Sequence, residues 1–358
     1  MCGIFVLFNP DSSKIDLDLA NKSLSLLEHR GPDNTSSLFV RDGTLFFGHT
    51  LLRIRSKIEN SVQPLFSKDL NYLLTYNGEI YNSDYLQKKF LENKFCDDSD
   101  TRVLIELISK YGIKKTLEEL DGMFSFVYLD KKENSITIVR DHFGIKPLYK
   151  YFSKATNTIC FSSEIKPIWN YFKNEMRLNT NSISEFLKYK FLANNNTLWQ
   201  DIKLIAPGSY EKINLNNHFE NLSVNWFHFD RLSINDFNIE SEIRNSCMSQ
   251  LVSEVPVGLQ LSGGIDSTLI YEFIKDNKYM ETYSVVFPDY EFDEKFFINN
   301  VLNKNSKHKK EKINFIDFKV DSFDKDLSEA IYYLEAPLNH PHTIAIRELA
   351  LKASENVK

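Results

Sequence analysis

Short runs of β-branched, aromatic and leucine residues, separated by polar turns, fill most of about the first 165 positions and predict strands. Two amphipathic patterns interrupt them and predict helices, one from about Leu17 to His29, closed by Gly31 and Pro32, and one from Thr101 to Tyr111. The first half of the chain is therefore predicted to be a strand-rich α+β domain. The predicted strands cover residues 3–8, 37–41, 45–49, 71–76, 123–129, 135–140 and 158–162.

Beyond about residue 227 the pattern changes to longer helices that alternate with short apolar strands. Apolar residues at every fourth position from Ile239 to Leu251 give a helix one apolar face, and an apolar strand follows over residues 255–261. After a glycine-containing turn, a second helix is predicted to begin near Ser267, and residues 282–287 resemble the next strand. This alternation is typical of a parallel sheet whose strands are connected by helices.

The two patterns divide the chain into two domains. A length of 358 residues allows two or three domains, at roughly 100 to 200 residues each. The patterns meet in a segment with Pro207, Gly208, many asparagines and no clear periodicity, which predicts a boundary between residues 208 and 226. We therefore expect one domain over residues 2–210 and a second over residues 225–358.

Charge and cysteine content narrow the functional classes. With 43 Lys and Arg against 49 Asp and Glu, the formal net charge is −6, which disfavours a nucleic-acid partner. The apolar run from Ile4 to Phe8 is too short for a signal peptide or a membrane span, so we expect a cytoplasmic protein without a membrane partner. The 4 cysteines lie far apart and form no C-x-x-C pair, so neither a disulfide framework nor a zinc site is predicted.

Cys2 directly follows the initiator methionine, and because cysteine is small we expect Met1 to be removed. The α-amine and the thiol then belong to one residue. An α-amine titrates near about 7.7–8.0 and a thiol near about 8.5, so at neutral pH the amine can accept the thiol proton, directly or through a water. Cys2 is thus a candidate nucleophile that carries its own base, although taken alone it is more simply an incidental small residue.

Cys2 belongs to a series of short motifs spread over the first domain. They are Met1-Cys2-Gly3-Ile4, His29-Arg30-Gly31-Pro32-Asp33, Tyr76-Asn77-Gly78-Glu79-Ile80-Tyr81-Asn82, Ser99-Asp100-Thr101, Leu120-Asp121-Gly122-Met123-Phe124, Arg140-Asp141, Gly144-Ile145-Lys146-Pro147-Leu148-Tyr149 and Phe161-Ser162-Ser163-Glu164-Ile165-Lys166. Any one motif could occur by chance, but together and in this order they are highly specific, and they resemble the class II glutamine amidotransferases, which are N-terminal nucleophile hydrolases. The resemblance covers essentially residues 2–210 and implies an αββα sandwich for the first domain.

The resemblance implies hydrolysis of glutamine through a thioester. Cys2 attacks the side-chain amide and releases ammonia and then glutamate, and the tetrahedral intermediate needs hydrogen-bond donors that are already in place. The positions that match the family's donors are Asn77, by its side-chain amide, and Gly78, by its backbone N–H. Asp100 matches the residue that holds the α-ammonium group of the substrate. An Asn-Gly pair alone would instead predict a type I′ turn.

One position departs from the family. Where the family commonly has His-x-Arg-Leu, this chain has His49-Thr50-Leu51-Leu52, and the arginine that binds the substrate α-carboxylate is replaced by Leu51. Because residues i and i+2 of a strand face the same side, we hypothesise that Arg53 takes this role, with Arg55 as the alternative. Weaker selectivity for glutamine is the other expected outcome.

A second constellation, Leu261-Ser262-Gly263-Gly264-Ile265-Asp266-Ser267, follows a predicted strand and opens a helix. Successive N–H groups at such a turn, with the positive end of a helix behind them, form a site for pyrophosphate. Ser262 and Ser267 add hydroxyl donors, and Asp266 can hold Mg²⁺. An ordinary helix start capped by Asp266 or Ser267 is the simpler alternative, but this motif after an apolar strand is too specific to favour it.

This segment resembles the PP-loop of the ATP pyrophosphatases, and behind an amidotransferase domain the combination resembles the glutamine-hydrolysing asparagine synthetases. The resemblance implies that ATP, bound with Mg²⁺, activates an acceptor carboxylate, with aspartate favoured, as an acyl-adenylate that ammonia then attacks. In this family the backbone of one strand contacts adenine. Residues 283–287 match that strand, so the resemblance implies that Val286 lies in the ATP site. Glu335 matches the acidic residue that takes a proton during this attack. The implied ATP-binding residues are Ser262, Gly263, Gly264, Asp266, Ser267 and Val286.

Two features keep alternatives open. The segment that often carries an acidic residue in the family reads Asn339-His340-Pro341-His342, so a sugar acid or a natural-product precursor could replace aspartate as acceptor. The chain ends before the family's next strand, so a partial α/β PP-loop domain is expected, completed in a homodimer or by a partner chain. We interpret the 358 residues as a fragment or as one half of a split enzyme. A glutaminase subunit that only delivers ammonia to a partner, or a pseudoenzyme, is the alternative from another class.

Overall fold

In the computed structural model the chain forms two compact units, Met1–Leu232 and Ser233–Lys358. Among the described residues, no helix is long and apolar enough to cross a lipid bilayer. The structure describes residues 1–11, 13–55, 57–92, 99–216, 221–228, 238–276, 280–287, 294–304, 313–318, 323–340 and 342–358.

The first unit is built on two sheets of antiparallel strands. Its strands are β1 (Gly3–Phe8), β2 (Asn34–Val40), β3 (Leu45–Leu51), β4 (Leu65–Phe66), β5 (Tyr72–Ile80), β6 (Gly122–Asp130), β7 (Ser135–Arg140), β8 (Tyr149–Ser153), β9 (Thr158–Ser162), β10 (Lys203–Leu204), β11 (Ser209–Asn214) and β12 (Asn221–Asn225). Sheet A has the six-stranded order β10-β8-β9-β1-β3-β2, and sheet B has the six-stranded order β12-β11-β7-β6-β5-β4.

Helices cover the outer face of each sheet. α1 and α5 pack on sheet A, and α3 and α4 pack on sheet B. The result is a four-layer αββα sandwich, which confirms the fold that the sequence resemblance implied. The helices of this unit are α1 (Leu17–Ser25), α2 (Ile58–Ser61), α3 (Ser83–Phe90), α4 (Asp100–Glu119), α5 (Ile165–Tyr171) and α6 (Thr180–Tyr189).

β1 shows why continuous apolar runs form the inner strands. All 6 of its residues are buried. Ile4, Val6 and Phe8 point into the layer between the sheets, whereas Phe5 and Leu7 point into the layer under α1 and α5. Because alternate side chains enter two different cores, the strand needs apolar residues at every position, and each such side chain contributes about 1.5–3 kcal/mol of burial free energy.

Three elements of the first unit differ from the sequence expectation. β5 continues to Ile80, so Asn77 and Gly78 lie inside a strand and not in a turn. α4 does not end at Tyr111, because Gly112 takes a left-handed conformation with φ of 76° and the helix resumes beyond the kink. The domain expected to end at residue 210 extends further, because β11 and β12 complete sheet B within the segment we expected to be a linker.

The second unit contains a parallel sheet of order β13-β14-β15, formed by Val257–Gln260, Met280–Val286 and Ile313–Asp317. The helices α7 (Ile239–Ser249), α8 (Ile265–Ile274), α9 (Lys295–Lys304), α10 (Phe323–Leu334) and α11 (His342–Ala353) connect and cover these strands. Leu261, Tyr271 and Ile298 form its small buried core. This confirms the predicted partial α/β domain.

Candidate functional site

Cys2 lies at the start of β1, where the strands of sheet A place it beside the end of β3. Gly3 pairs with Thr50, and a Cβ at position 3 would lie 2.5 Å from Thr50 Oγ1, so this register requires glycine. The N–H of Leu52 donates to the Cys2 sulfur over 3.4 Å. The thiol is therefore held against backbone at a fixed point of the fold.

A buried ion cluster fixes the backbone at Cys2. Arg30 donates from Nε to the Cys2 carbonyl over 3.0 Å and from Nη1 to Glu164 Oε1 over 2.9 Å. Glu164 also contacts His29 at 2.9 Å and Lys166 at 2.6 Å. Burial acts to raise the pKa of Glu164, but the hydrogen bonds from His29 and Lys166 and the charges of Lys166 and Arg30 outweigh it and hold this pKa at about 2. The motifs around Arg30 and Glu164 thus meet behind the nucleophile.

Burial changes the protonation of both groups at the chain end. It raises the pKa of the Cys2 thiol, and the hydrogen bond from Leu52 offsets only part of this effect. The Met1 α-amine has its pKa lowered to about 5, mainly by desolvation, although the neighbouring Cys2 acts in the opposite direction. With Met1 in place, burial therefore favours the protonated thiol and the neutral Met1 amine. Thiol activation by an amine needs a proton acceptor next to a protonated thiol, and removal of Met1 would place that amine on Cys2 itself.

Asn77 presents an amide donor to the layer between the sheets. Leu73 and Thr75, on the same face of β5, contact sheet A, and Asn77 follows them in the alternation of the strand. The Asn77 side chain is 1 % exposed, and among the described residues nothing accepts a hydrogen bond from its Nδ2. A buried donor without a partner is costly, at about 1–3 kcal/mol, and such donors occur where a ligand provides the acceptor.

The backbone of β5 adds a second donor. The N–H of Tyr76 donates to Gln63 Oε1 over 2.7 Å, and the N–H of Ile80 donates to Asp100 Oδ2 over 3.1 Å, so both point away from β6. By the alternation of a strand, the N–H of Gly78 lies on this same edge between them. A Cβ at position 78 would lie 2.4 Å from Met123 O, so glycine is required where β5 and β6 approach.

His49 fixes the same edge of β5 to β3. Its Nε2–H donates to the Tyr76 carbonyl over 3.0 Å, and burial lowers its pKa to about 4, so the imidazole is neutral. This bond connects the end of β3, beside the Cys2 thiol, to the residue that precedes Asn77.

Asp100 and Glu79 form an acidic pair at the end of β5. Asp100 is 7 % exposed and accepts hydrogen bonds from Tyr76 OH at 2.7 Å, Ile80 N at 3.1 Å and Thr101 N at 2.8 Å. Its charge also acts on the Cys2 thiol. Burial, and then the charge of Asp100, raise the pKa of Glu79 to about 8. The pair offers a site for a cation close to the nucleophile.

β3 does not extend to Arg53, so the strand alternation that suggested Arg53 as the carboxylate clamp does not apply there, and this role stays a prediction. β3 ends at Leu51, where the N–H of Asp33 donates to the Leu51 carbonyl over 2.9 Å. The N–H of Arg53 then donates to Asp33 Oδ2 over 2.7 Å, so the chain has left the strand and the i, i+2 rule does not apply. Arg55 donates to Glu79, Ser83 and Asp84.

The second constellation forms a loop between β13 and α8. Gly264 precedes the first turn of α8 without a side-chain cap, so neither Asp266 nor Ser267 caps the helix. Gly263 has φ of 75°, and a Cβ there would lie 3.1 Å from Phe297 Cβ. The hydroxyls of Ser262 and Ser267 lie 3.0 Å apart, and the Gly264 N–H donates to Ser262 Oγ. Uncapped amides and two hydroxyls at a helix N-terminus fit a pyrophosphate group.

The remaining residues predicted for ATP chemistry lie elsewhere in the second unit. Val286 ends β14 and is 1 % exposed, and its carbonyl accepts the N–H of Phe318 over 3.0 Å. Glu335 directly follows α10 in a left-handed conformation with φ of 56°. Among the described residues no group of three or more His, Cys, Asp or Glu side chains is arranged to hold a metal.

The structure thus brings Cys2, Asn77, Gly78 and Asp100 to the same end of the two sheets. The sequence interpretation did not single out Glu79, although it lies within the motif that contains Asn77, and it did not single out Arg30 or Lys146. Each of these lies in a segment that carried the resemblance, but their burial beside the nucleophile depends on the fold.

Comparisons with known proteins place both units in recognised families. Residues 1–223 match the glutamine amidotransferase domain, and residues 238–358 match asparagine synthase. The chain is 28 % identical to asparagine synthetase [glutamine-hydrolyzing] 1 of Bacillus subtilis (strain 168), over 100 % of this chain and 56 % of that protein. It is 29 % identical to asparagine synthetase B [glutamine-hydrolyzing] of Escherichia coli (strain K12), over 77 % of this chain and 45 % of that protein.

The chain spans about half the length of these curated relatives. Among solved structures, glutamine phosphoribosylpyrophosphate amidotransferase from B. subtilis, complexed with ADP and GMP, is similar at a TM-score of 0.47 and 18 % identity, over 78 % of this chain and 65 % of that chain. The amidotransferase match covers more than half of the chain, and the synthase match follows it in the same order as the two compact units. The chain belongs to the glutamine-hydrolysing asparagine synthetase family, with a class II glutamine amidotransferase domain first and a short asparagine synthase domain second.

Proposed function

We propose that the first unit hydrolyses glutamine to glutamate and ammonia, with Cys2 as nucleophile and Asn77 and Gly78 as oxyanion donors. The observation that carries this proposal is the unpartnered, buried Nδ2 of Asn77 beside the open-edge N–H of Gly78. Two donors fixed before the reaction stabilise a developing negative charge without reorganisation. The free protein keeps one of them unsatisfied, which is the expected state of a site built for a transition state.

The steps follow from the groups present. Once Met1 is removed, the neutral α-amine of Cys2 accepts the thiol proton, and the sulfur attacks the γ-amide carbon of glutamine. The carbonyl oxygen becomes an oxyanion that Asn77 and Gly78 stabilise. The α-ammonium group of Cys2 then donates the proton to the amide nitrogen of the intermediate. The carbon–nitrogen bond breaks, ammonia leaves, and a thioester to Cys2 remains. Water, deprotonated by the same amine, then attacks the thioester carbon. The carbon–sulfur bond breaks, the α-ammonium group of Cys2 returns the proton to the sulfur, and glutamate is released.

We further propose that the second unit binds ATP and activates an acceptor carboxylate as an acyl-adenylate, with release of pyrophosphate. Ser262, Gly263, Gly264 and Ser267 would hold the phosphates, and Asp266 would hold Mg²⁺ together with phosphate oxygens. Val286 would lie near adenine, and Glu335 would take a proton during attack by ammonia. The uncapped start of α8 supports this assignment.

Aspartate is the acceptor we favour, because the relatives are named asparagine synthetases. A sugar acid or a natural-product precursor is the second candidate, because His340 and His342 occupy the segment where an acidic residue is common in the family. A homodimer or a partner chain is proposed as well. We propose a cytoplasmic location.

The first test measures the wild-type chain, with loss of Met1 confirmed by intact mass. We expect glutamate release from glutamine and much slower turnover of asparagine, which is one methylene shorter.

Pyrophosphate release from ATP and Mg²⁺ is then measured with aspartate or with sugar acids. If aspartate stimulates pyrophosphate release, asparagine synthesis is supported, and if another acid does so, the second acceptor class is supported. If no acid stimulates it, the chain is interpreted as a glutaminase subunit. A processed, folded chain without glutamate release contradicts the proposal.

The acidic pair predicts a pH-dependent KM for glutamine. Glu79, with its pKa raised to about 8 by burial and by Asp100, holds a proton in the free protein at neutral pH. A bound α-ammonium group favours the carboxylate, so glutamine binding releases that proton. Since a proton competes with the substrate below pH 8, KM should rise as pH falls, by up to about tenfold per pH unit. Glu79→Gln should flatten this slope between about pH 6 and 8, and a flat wild-type profile would contradict it.

A further inference from the structure

A buried lysine lies beside the nucleophile and has no role in the reaction described above. Lys146 is 6 % exposed, and its charge interacts with the Cys2 thiol and the Glu79 carboxyl. Within the described parts of the chain, its ammonium group has neither an ion-pair partner nor a hydrogen-bond acceptor. The neighbouring Arg30 and Arg55 differ, since both form ion pairs.

The backbone of Lys146 is fixed on both sides. Asp141, which is fully buried, accepts the N–H of Lys146 at 3.0 Å and the N–H of Ile145 at 2.9 Å. Arg140 donates from Nε to the Lys146 carbonyl over 3.0 Å and from Nη1 to the Ile205 carbonyl. The loop is therefore a rigid support for the backbone from which the Lys146 side chain extends.

An unpaired cation in this place is unfavourable without a ligand. Desolvation, and then the nearby charge of Arg30, lower the pKa of Lys146, while the Cys2, Asp141 and Glu79 groups raise it. Removing an ammonium group from water costs free energy that only a close anion offsets. Since no described side chain takes that place, the ammonium group is available to an anionic group of a bound molecule.

We propose that Lys146 binds the α-carboxylate of the glutamine substrate, in place of the family arginine that Leu51 replaces. This inference rests on the proposed glutaminase function and deepens it. A free amino acid carries its α-carboxylate and α-ammonium on one carbon. Lys146 provides a cation near the thiol, and the neighbouring Glu79 becomes an anion when the α-ammonium group displaces its proton. The proposal thus accounts both for the family arginine that Leu51 replaces and for the Lys146 ammonium group, which has no partner among the described residues.

The test compares glutamine with glutaminamide, in which the α-carboxylate is a neutral amide. In the wild type we expect kcat/KM to be about 10- to 100-fold higher for glutamine, the range of a charge-assisted hydrogen bond in a buried site. Lys146→Met should lower this preference to about 1- to 3-fold, through a higher KM for glutamine. Lys146→Arg should keep most of the preference. Lys150→Met, in the adjoining strand and paired with Glu211, is the matched control and should leave it unchanged.

Three results would overturn the proposal. The first is an unchanged preference in Lys146→Met. The second is an equal loss for both substrates together with a shifted pH profile of Cys2 alkylation by iodoacetamide, since Lys146 would then act on the thiol. The third is loss of the preference in Arg53→Met but not in Lys146→Met. If the wild type releases no glutamate, the glutaminase proposal fails by itself, and calorimetric binding of glutamine still decides: about tenfold weaker binding in Lys146→Met supports the clamp, and equal binding refutes it.

Discussion

Cys2→Ala should lower the rate of glutamate release by at least about 10³-fold while the fold is retained. The proposed reaction forms a covalent bond to the Cys2 sulfur, so no other group can replace it, and the loss of a nucleophile commonly costs this much or more. The sulfur lies beside Leu52 N and is half-buried, so its removal leaves little cavity and the melting temperature should change little. Glutamate is measured by an end-point assay with glutamine in excess.

Two further variants separate the thiol from the amine. Cys247→Ala, in the second unit, removes an equally half-buried thiol and should keep full activity. A chain with an uncleaved N-terminal extension keeps the Cys2 thiol but converts its α-amine into an amide, which cannot accept a proton. We expect this chain to be nearly as inactive as Cys2→Ala. Full activity in the extended chain would refute the amine as base, and full activity in Cys2→Ala would refute the mechanism.

The sequence predicted the parts of the fold in which every side chain is buried. β1 is an apolar run because its alternate residues enter two cores, and the motif with Cys2 lies next to this strand. The strands that pattern analysis missed, such as β10 and β12, are short or polar edge strands. Their pairing depends on the neighbouring strand and not on local composition.

The charged residues of the site were harder to predict, because their roles depend on contacts distant in sequence. Arg53 was assigned by strand alternation, but Asp33 ends β3 at Leu51 and turns the chain away. Lys146 is an ordinary lysine by sequence, and its burial and its backbone contact with Asp141 are visible only in the fold. The pKa of Glu79 likewise depends on its distance from Asp100, which belongs to another element.

Asn77→Ala should lower kcat for glutamine by about 10²- to 10³-fold with KM changed by no more than about threefold. The amide of Asn77 is proposed to donate to an oxygen whose charge develops only in the tetrahedral intermediate, and removal of one such donor has this magnitude in other hydrolases. A KM effect without a kcat effect would instead mean that Asn77 binds the ground state. Asn71→Ala, just before β5 and hydrogen-bonded to Asp69 at the surface, is the matched control and should leave both constants unchanged.

For Asn77→Ala we expect that stability, unlike kcat, does not fall. In the free protein Nδ2 of Asn77 is buried and unpartnered among the described residues, so removing it relieves a cost of about 1–3 kcal/mol and offsets the loss of packing. The melting temperature of Asn77→Ala should therefore equal or exceed that of the wild type, whereas a structural amide would lower it by several degrees. A variant that is as stable as the wild type and hundreds of times slower shows that the donor is kept for the reaction, because a site shaped for the transition state leaves its donors unsatisfied in the free protein.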